Sequence, residues 1–133
     1  MFSIGGGGAL TPTVPPTFST GVLGSSPQRI VISPNGSFLY VTNSGMNEVA
    51  AFTIGAGGLL TPTTPATFTT GAAATPVGIT INPDGQFLYV ANSGSTGVSG
   101  FTIGLGGILA PTTPATFSTA PHAPIGIATP GRP

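Results

Sequence analysis

The chain has 133 residues, of which 3% are charged. Two of them are Lys or Arg and two are Asp or Glu, so the formal net charge is zero. Two cations cannot form the basic patch that nucleic-acid binding needs, and two carboxylates cannot build an acidic metal cluster. The absence of cysteine excludes disulfides and thiolate metal sites. We therefore predict no metal, no cofactor and no nucleic-acid partner.

Signals for membranes and export are also missing from the sequence. No apolar run approaches the roughly 20 residues that a membrane-spanning helix needs. The N-terminus, MFSIGGGG, has neither the basic region nor the apolar stretch of a secretory signal. Low charge with many Thr, Ser and Gly residues favours an extracytoplasmic or cell-surface protein, but the compartment stays open. We predict no membrane span.

The sequence repeats itself with offsets of 50 and 49 residues. FSIGGGGALTPTVPPTFSTG begins at Phe2, FTIGAGGLLTPTTPATFTTG at Phe52 and FTIGLGGILAPTTPATFSTA at Phe101. The other half of the repeat lies between these segments, as PQRIVISPNGSFLYVTNSG from Pro27 and PVGITINPDGQFLYVANSG from Pro76. Such a period is typical of propeller blades and exceeds that of ankyrin or tetratricopeptide repeats.

Each repeat predicts four short β-strands. In the first complete unit they are 30–32, 38–42, 48–54 and a Pro-Thr segment that begins near 59 and ends at 68. SPNG joins the first two strands, because Pro presets φ and Asn-Gly accepts a positive φ, and GAGG makes the last hairpin. Proline inside the fourth strand indicates an outer edge. The second unit repeats this pattern with NPDG and GLGG.

Four antiparallel strands at this period predict an all-β fold of antiparallel four-stranded propeller blades, forming an incomplete β-propeller. A β-solenoid is the first alternative, although its coils are shorter and less hairpin-like. The abundance of Gly and Pro also suits a disordered chain. Disorder is the poorer interpretation because the apolar residues recur in ordered β-type runs.

The repeat resembles a known family. LYVTNSG with its upstream SPNG resembles the YVTN repeat of the lactonase-type β-propellers, which include 6-phosphogluconolactonase. INPDGQFLYVANSG and FTIGAGGLLTP fit the same pattern, so the resemblance covers essentially the whole chain. It implies blades but no particular chemistry, since the repeat occurs in enzymes, binding proteins and surface proteins. The family's active residues cannot be carried over, because the motif does not contain them.

The repeat divides the chain into four parts. Residues 1–20 are predicted to be the C-terminal half of a blade, 21–70 and 71–119 full blades, and 120–133 the first strand of a further blade. Propellers close with roughly four to eight blades. The chain is therefore either a fragment of a longer ring or a unit that assembles with other copies through open blade edges. We favour the fragment, because neither terminus falls at a blade boundary.

Arg29 is the first candidate for a functional side chain. Propeller ligand sites usually lie at one mouth of the central channel, and positions where the repeats differ are the informative ones. Arg29 stands at the start of an inner strand, where the other copies have Gly78 and Gly126. It would bind an anion such as phosphate or a sugar acid. The alternative is a surface arginine or one that spans two blades.

His122 is the second candidate, and it is the only histidine of the chain. It replaces Ala74 and Ser25 of the other repeats and is expected near the same end as Arg29. A histidine can act as a general base. The flanking prolines instead indicate a rigid surface loop.

Other conspicuous residues predict structural roles. We expect Glu48 to be solvated, Asp84 to serve its turn, and Tyr40 and Tyr89 to pack inside blades with satisfied hydroxyls. No nucleophile–base pair and no Gly-x-Ser-x-Gly elbow is present. GGGG lacks the Lys-Ser/Thr of a phosphate loop. No catalytic residue is assigned beyond the candidates Arg29 and His122.

Three functions remain open. The first is a binding or surface scaffold without activity of its own, which the small number of ionisable groups favours. The second is a lactone hydrolase of the 6-phosphogluconolactonase type, in which Arg29 would orient an anionic substrate and His122 would assist water. The third is a structural protein that self-assembles through its open blade edges.

Overall fold

The computed structural model describes residues 2–4, 10–12, 17–21 and 24–129, and these ranges contain ten β-strands. The strands are β1 (Phe2–Ile4), β2 (Leu10–Pro12), β3 (Pro27–Ile32), β4 (Phe38–Asn43), β5 (Glu48–Ile54), β6 (Leu60–Thr69), β7 (Pro76–Ile81), β8 (Phe87–Asn92), β9 (Gly97–Ile103) and β10 (Leu109–Ser118). Short 3-10 turns at Ala56–Gly58 and Leu105–Gly107 are the helical segments of these ranges. Neither is long enough to cross a membrane.

The strands form two four-stranded antiparallel sheets, in the orders β3-β4-β5-β6 and β7-β8-β9-β10, and β1 pairs with β2. Strands that follow each other in the chain are neighbours in the sheet, and no sheet of the described residues closes on itself. This is the arrangement of four-stranded propeller blades. The predicted all-β fold of antiparallel blades is confirmed.

The tight turns adopt the conformations that their sequences predict. Gly36 and Gly85 have φ angles of 72° and 73°, a region that glycine enters without steric cost. The Asn82 side-chain oxygen accepts hydrogen bonds from the backbone N–H groups of Gln86 and Phe87, at 2.9 and 2.8 Å. These bonds fix the turn between β7 and β8, and with it the register of the inner strand pair.

The inner strands are longer than their apolar residues predict. β3 begins at Pro27 and β7 at Pro76, three residues before the apolar runs. Both strands pass through a β-bulge directly after these prolines. A bulge leaves an extra residue outside the regular ladder, so its residues do not follow the alternation that marks a strand in the sequence.

The C-terminal part differs from the prediction. The repeat predicts a first strand after Pro124, yet the described residues 123–129 form no strand. A strand requires a ladder of backbone hydrogen bonds with a neighbour, and no described strand pairs with this segment. The segment instead lies beside β7, where the Thr129 hydroxyl donates a hydrogen bond of 2.9 Å to the carbonyl of Ile81.

The main hydrophobic core lies between the two four-stranded sheets. Its buried members come from both sheets: Tyr40, Val49, Ala51, Ile81, Leu88, Val90, Phe101 and Leu109. A second cluster lies on the opposite face of the first sheet and contains Leu39, Val41, Ala50 and Phe52. Burial of apolar surface contributes roughly 25 cal/mol per Å². The two sheets therefore stabilise each other through a shared core.

A hydrogen bond crosses this core. The Tyr40 hydroxyl donates to the carbonyl oxygen of Gly107 at 3.0 Å, and the Tyr40 side chain is fully buried. Tyr89, its counterpart in the second sheet, is half-buried, and its ring stacks on Phe87 at a centroid distance of 6.5 Å. Among the described residues the Tyr89 hydroxyl has no hydrogen-bond partner. The prediction of a satisfied hydroxyl is confirmed for Tyr40 only.

These two tyrosines form a matched pair of test positions. Tyr40→Phe is expected to lower the free energy of unfolding by about 1 kcal/mol, because it leaves the buried Gly107 carbonyl without its donor. Tyr89→Phe is expected to change that free energy by less than about 0.5 kcal/mol. Urea unfolding followed by circular dichroism measures both. Equal losses in the two variants would contradict the cross-sheet bond.

Tyr40 also predicts a dependence of stability on alkaline pH. Burial raises the pKa of its phenol from the ordinary 10.0 to about 12. The folded state then holds the phenolic proton more tightly than the unfolded state does, so the stabilisation is complete below about pH 10 and declines as the pH rises toward 12. Unfolding curves between those pH values should show the decline in the wild type and a smaller one in Tyr40→Phe.

Candidate functional site

The inner strands β3 and β7 lie side by side, and the sequence analysis predicts a ligand at one end of the surface that they form. β3 packs against β7, and residues 123–129 lie on the other side of β7. The approach is close, since a Cβ atom added at Gly78 would lie 3.1 Å from the Cα atom of Gly126. Glycine at position 78 therefore has a packing reason, which the sequence comparison alone does not reveal.

Arg29 lies on this surface, at the bulge of β3. Gln28 and Arg29 stand together opposite Thr42 of β4. The Arg29 backbone N–H donates to the Thr42 hydroxyl oxygen at 3.1 Å, and the buried Thr42 side chain thereby replaces a missing ladder partner. The Arg29 side chain is exposed, and one guanidinium nitrogen donates to the Gln28 carbonyl at 3.4 Å. The guanidinium is thus accessible to an anion.

Sequence reasoning missed the role of Thr42. The second sheet has Ala91 at the corresponding position, paired with Gly78. The pair Arg29 with Thr42 therefore changes to Gly78 with Ala91 between the two repeats. This paired change between the two repeats was the available signal.

His122 lies in the turn that follows β10. Its side chain is exposed, its backbone N–H donates to Thr119 O at 3.3 Å, and its carbonyl accepts from the Thr119 hydroxyl at 2.9 Å. These bonds shape the turn and leave the imidazole outside it. In the part of the chain that is described, no hydrogen bond links His122 to Arg29. The two candidates therefore do not form a catalytic pair in this structure.

The asparagines that end β4 and β8 connect to the segment before each sheet. The Asn43 amide donates to Thr20 O at 2.7 Å, and it also donates to a Glu48 carboxylate oxygen at 3.3 Å. Glu48 is half-buried at this junction, where it was expected to be solvated.

In the second sheet the corresponding connection is relayed through a hydroxyl. The Asn92 amide donates to Ser99 Oγ at 2.8 Å, and Ser99 Oγ donates to Thr70 O at 2.9 Å. The first sheet has Ala50 at the position of Ser99, and there the amide reaches the preceding segment directly. These buried asparagines therefore serve the packing of consecutive repeats, and we assign them no chemistry.

A cleft of about 990 Å³ opens between the two sheets at their tight-turn end. Its walls include Asn35 and Phe38 from the first sheet and Asp84 and Leu105 from the second. Asn35 already accepts hydrogen bonds from the Ser33 hydroxyl at 2.6 Å and from the Ser37 N–H at 3.0 Å, which supports its turn. The lining mixes apolar side chains with polar ones, among them Asn35, the Asp84 carboxylate and Ser33, whose hydroxyl is held by the Asn35 side chain and the Phe38 carbonyl.

No group of three His, Cys, Asp or Glu side chains that could hold a metal ion occurs in ranges 2–4, 10–12, 17–21 and 24–129. The surface formed by the inner strands carries one ionisable side chain, the Arg29 guanidinium. Such an arrangement attracts an anion but supplies no general base beside it.

Comparison with known proteins identifies the family. Residues 8–114 match the family model described as lactonase, seven-bladed β-propeller. No curated protein sequence matches the chain.

Two solved structures illustrate the similarity. A provisionally named 6-phosphogluconolactonase from Bacteroides fragilis is 30% identical over 76% of this chain, with a TM-score of 0.68. A periplasmic gluconolactonase from Pseudomonas aeruginosa is 26% identical over 71% of the chain, with a TM-score of 0.64. The matched part covers 28% and 26% of those structures, respectively. The chain thus belongs to the family of seven-bladed β-propeller lactonases.

Proposed function

We propose that this chain supplies blades of a lactonase-type propeller that acts as a binding or surface scaffold and has no hydrolytic activity of its own. One observation carries the proposal. Arg29 is the only ionisable side chain on β3, β7 and residues 123–129, the three segments that form the inner surface. A lone cation can hold an anionic ligand, but lactone hydrolysis also needs a group that takes a proton from water.

The proposed blades follow the internal repeat. Residues 21–70 and 71–119 form one blade each, residues 1–20 are the outer half of a preceding blade, and residues 120–133 provide the inner segment of a following one. The shared core and the Tyr40–Gly107 hydrogen bond support this division, because they join the sheets face to face as neighbouring blades. The partners of the outer blades are further blades, either from a longer chain or from another copy.

Hydrolysis of sugar lactones is the second candidate. The names of the similar structures and the exposed guanidinium of Arg29 favour it. In this alternative Arg29 orients a phosphorylated or carboxylated sugar lactone, and His122 assists the attacking water. The imidazole would have to approach the inner surface, since the structure shows it outside its turn with no bond to Arg29.

A lactone assay decides between the two candidates. Purified chain is mixed with 6-phosphogluconolactone or gluconolactone, and acid release is followed against buffer alone. We expect the rate of buffer alone for the wild type, Arg29→Ala and His122→Ala. Gln28→Ala, an exposed neighbour on the same strand, is the matched control. Turnover above the uncatalysed rate that Arg29→Ala or His122→Ala abolishes and Gln28→Ala retains would overturn the scaffold proposal.

A further inference from the structure

The cleft at the tight-turn end of the two sheets has no part in the proposed function. Three turns border it, namely those between β3 and β4, between β7 and β8, and between β9 and β10. We propose that this cleft is a second ligand site, which binds a small organic cation with an ammonium group on an apolar body. The Asp84 carboxylate pairs with the ammonium group, and Leu105 covers the apolar body. This inference goes beyond the scaffold proposal and does not rest on it.

The cleft is separate from the surface around Arg29. Arg29 lies at the bulge near the start of β3, whereas the lining of the cleft begins at Ser33, after the last residue of that strand. The other lining segments are the turns that follow β7 and β9. The two sites therefore lie toward opposite ends of the inner strand and take their ligands independently.

Contacts between the blades hold the walls of the cleft in place. A Cβ atom added at Gly85 would lie 3.4 Å from the Pro34 Cδ atom, so the two tight turns touch each other. The third turn is tied to the first blade, because the Gly107 carbonyl accepts the hydrogen bond of the Tyr40 hydroxyl at 3.0 Å. The cleft of about 990 Å³ falls within the roughly 300–1,000 Å³ of ligand pockets. Walls that are already ordered reduce the free-energy cost of binding.

Two positions at which the repeats differ meet in this cleft. Asp84 replaces Asn35 of the first repeat, and Leu105 replaces Ala56. The proline and glycines that shape these turns are the same in both repeats, as SPNG with NPDG and GAGG with GLGG show. The two differences therefore change the side-chain chemistry of the cleft and keep the turns.

The second tight turn receives its support from another residue than Asp84. In the first turn the Asn35 side-chain oxygen accepts a hydrogen bond from the Ser37 N–H group at 3.0 Å. The corresponding group of the second turn is the Gln86 N–H group, which donates to the Asn82 side-chain oxygen at 2.9 Å. This bond therefore does not depend on the Asp84 carboxylate, whose negative charge is added to the cleft.

The charge and polarity of the lining select an organic cation. Asp84 is the only ionisable side chain among the described residues that line the cleft, and Phe38, Ile103 and Leu105 are apolar. A carboxylate attracts an ammonium group and repels phosphates and sugar acids, which are the ligands expected for Arg29. Leu105 is 96% exposed, so a ligand with an apolar body removes apolar surface of both partners from water.

Three probes of the same shape and different charge test the proposal on the full chain. They are benzylammonium chloride, benzyl alcohol and sodium benzoate. Nuclear magnetic resonance follows the backbone amides of Gly85 and Gly106, which line the cleft, with Gly94 as a reference outside its lining. We expect benzylammonium to shift both lining amides to saturation and to leave Gly94 unchanged. Benzyl alcohol should bind about fivefold more weakly, and benzoate should not bind.

The variants replace each distinctive residue by its counterpart in the first repeat, so the turns are expected to form as they do there. Asp84→Asn should weaken benzylammonium binding about fivefold and leave benzyl alcohol binding unchanged. Leu105→Ala should weaken the binding of both probes about threefold, since it removes apolar contact. Glu48→Gln is the charge control, because it removes the other carboxylate of the chain and should keep the wild-type affinity. Circular dichroism checks that each variant keeps its β-structure.

Three results overturn the inference. The first is the absence of a saturable shift of the Gly85 and Gly106 amides with benzylammonium. The second is benzoate or benzyl alcohol binding as tightly as benzylammonium, since the carboxylate then selects nothing. The third is an equal loss of affinity in folded Asp84→Asn and Glu48→Gln, which would show that net charge and not the cleft attracts the cation.

Discussion

Leu88→Ala is expected to lower the free energy of unfolding by about 3 kcal/mol. Leu88 is 0% exposed and lies in β8, a central strand of the second blade, where it packs into the core shared with the first. The truncation removes apolar contacts and leaves a cavity between two sheets that cannot both close over it. Since small domains are stable by about 5–15 kcal/mol, this single change removes a large fraction of the total.

Leu105→Ala is the matched control for this prediction. The same three side-chain carbons are removed, but Leu105 is 96% exposed on its turn. Its effect should stay within about 0.5 kcal/mol. Chemical denaturation followed by circular dichroism measures both variants. Similar losses for Leu88→Ala and Leu105→Ala would show that the core between the blades is not the main source of stability.

The second large effect is expected for Gly107→Ala. Gly107 has a φ of 77°, and an added Cβ atom would overlap the ring of Phe38 in the other blade. A left-handed conformation costs a residue with a Cβ atom about 1–2 kcal/mol, and overpacking adds about 1–3 kcal/mol. We therefore expect a loss of about 3 kcal/mol, with part of it arising from separation of the two blades.

Gly106→Ala isolates the backbone part of this effect. Gly106 precedes Gly107 in the same turn with a φ of 69°, and nothing lies within 4 Å of its added Cβ atom. Its substitution should cost about 1 kcal/mol from backbone strain alone. The difference between the two variants, measured in the same denaturation series, reports the clash with Phe38. Two equal losses would contradict the close approach of the blades.

The local structure of this chain was predictable because the same strand and turn sequences occur in two copies. FLYVTN and FLYVAN carry β-branched and aromatic residues that predict β4 and β8, and their turns carry the glycines that the positive φ angles require. Each strand and turn depends on residues that are near each other in the sequence. Comparison of two copies was therefore sufficient to place them.

Contacts between blades were not predictable in the same way. The Tyr40–Gly107 hydrogen bond joins residues that are 67 positions apart, and the sequence pattern of Tyr40 is the same as that of Tyr89. Only the packing of a neighbour distinguishes the buried tyrosine from the half-buried one. The bulge at Arg29 was missed for a related reason, because its partner Thr42 belongs to the adjacent strand and not to the motif around Arg29.

The two candidate site residues also differ in how well the sequence located them. The repeat differences directed attention to Arg29, and the structure shows this side chain exposed at the bulge of β3. His122 was expected near the same end of the molecule as Arg29, but no hydrogen bond joins the two among the described residues. The turn after β10 holds the His122 backbone through Thr119 and leaves the imidazole ring outside the turn. The sequence locates a residue in a loop only approximately, whereas it locates a residue in a strand through the register of the sheet.

The central claim is that the two blades form one unit, because their main hydrophobic core lies between them. Native-state hydrogen exchange of the amides of Val41 in β4 and Val90 in β8 tests it most directly, since both lie in central strands of their blades. We predict the same opening free energy at both positions, together with an equal decrease at both in Leu88→Ala. Protection that differs between the blades by more than about 1 kcal/mol, or a decrease confined to β8, would contradict this account.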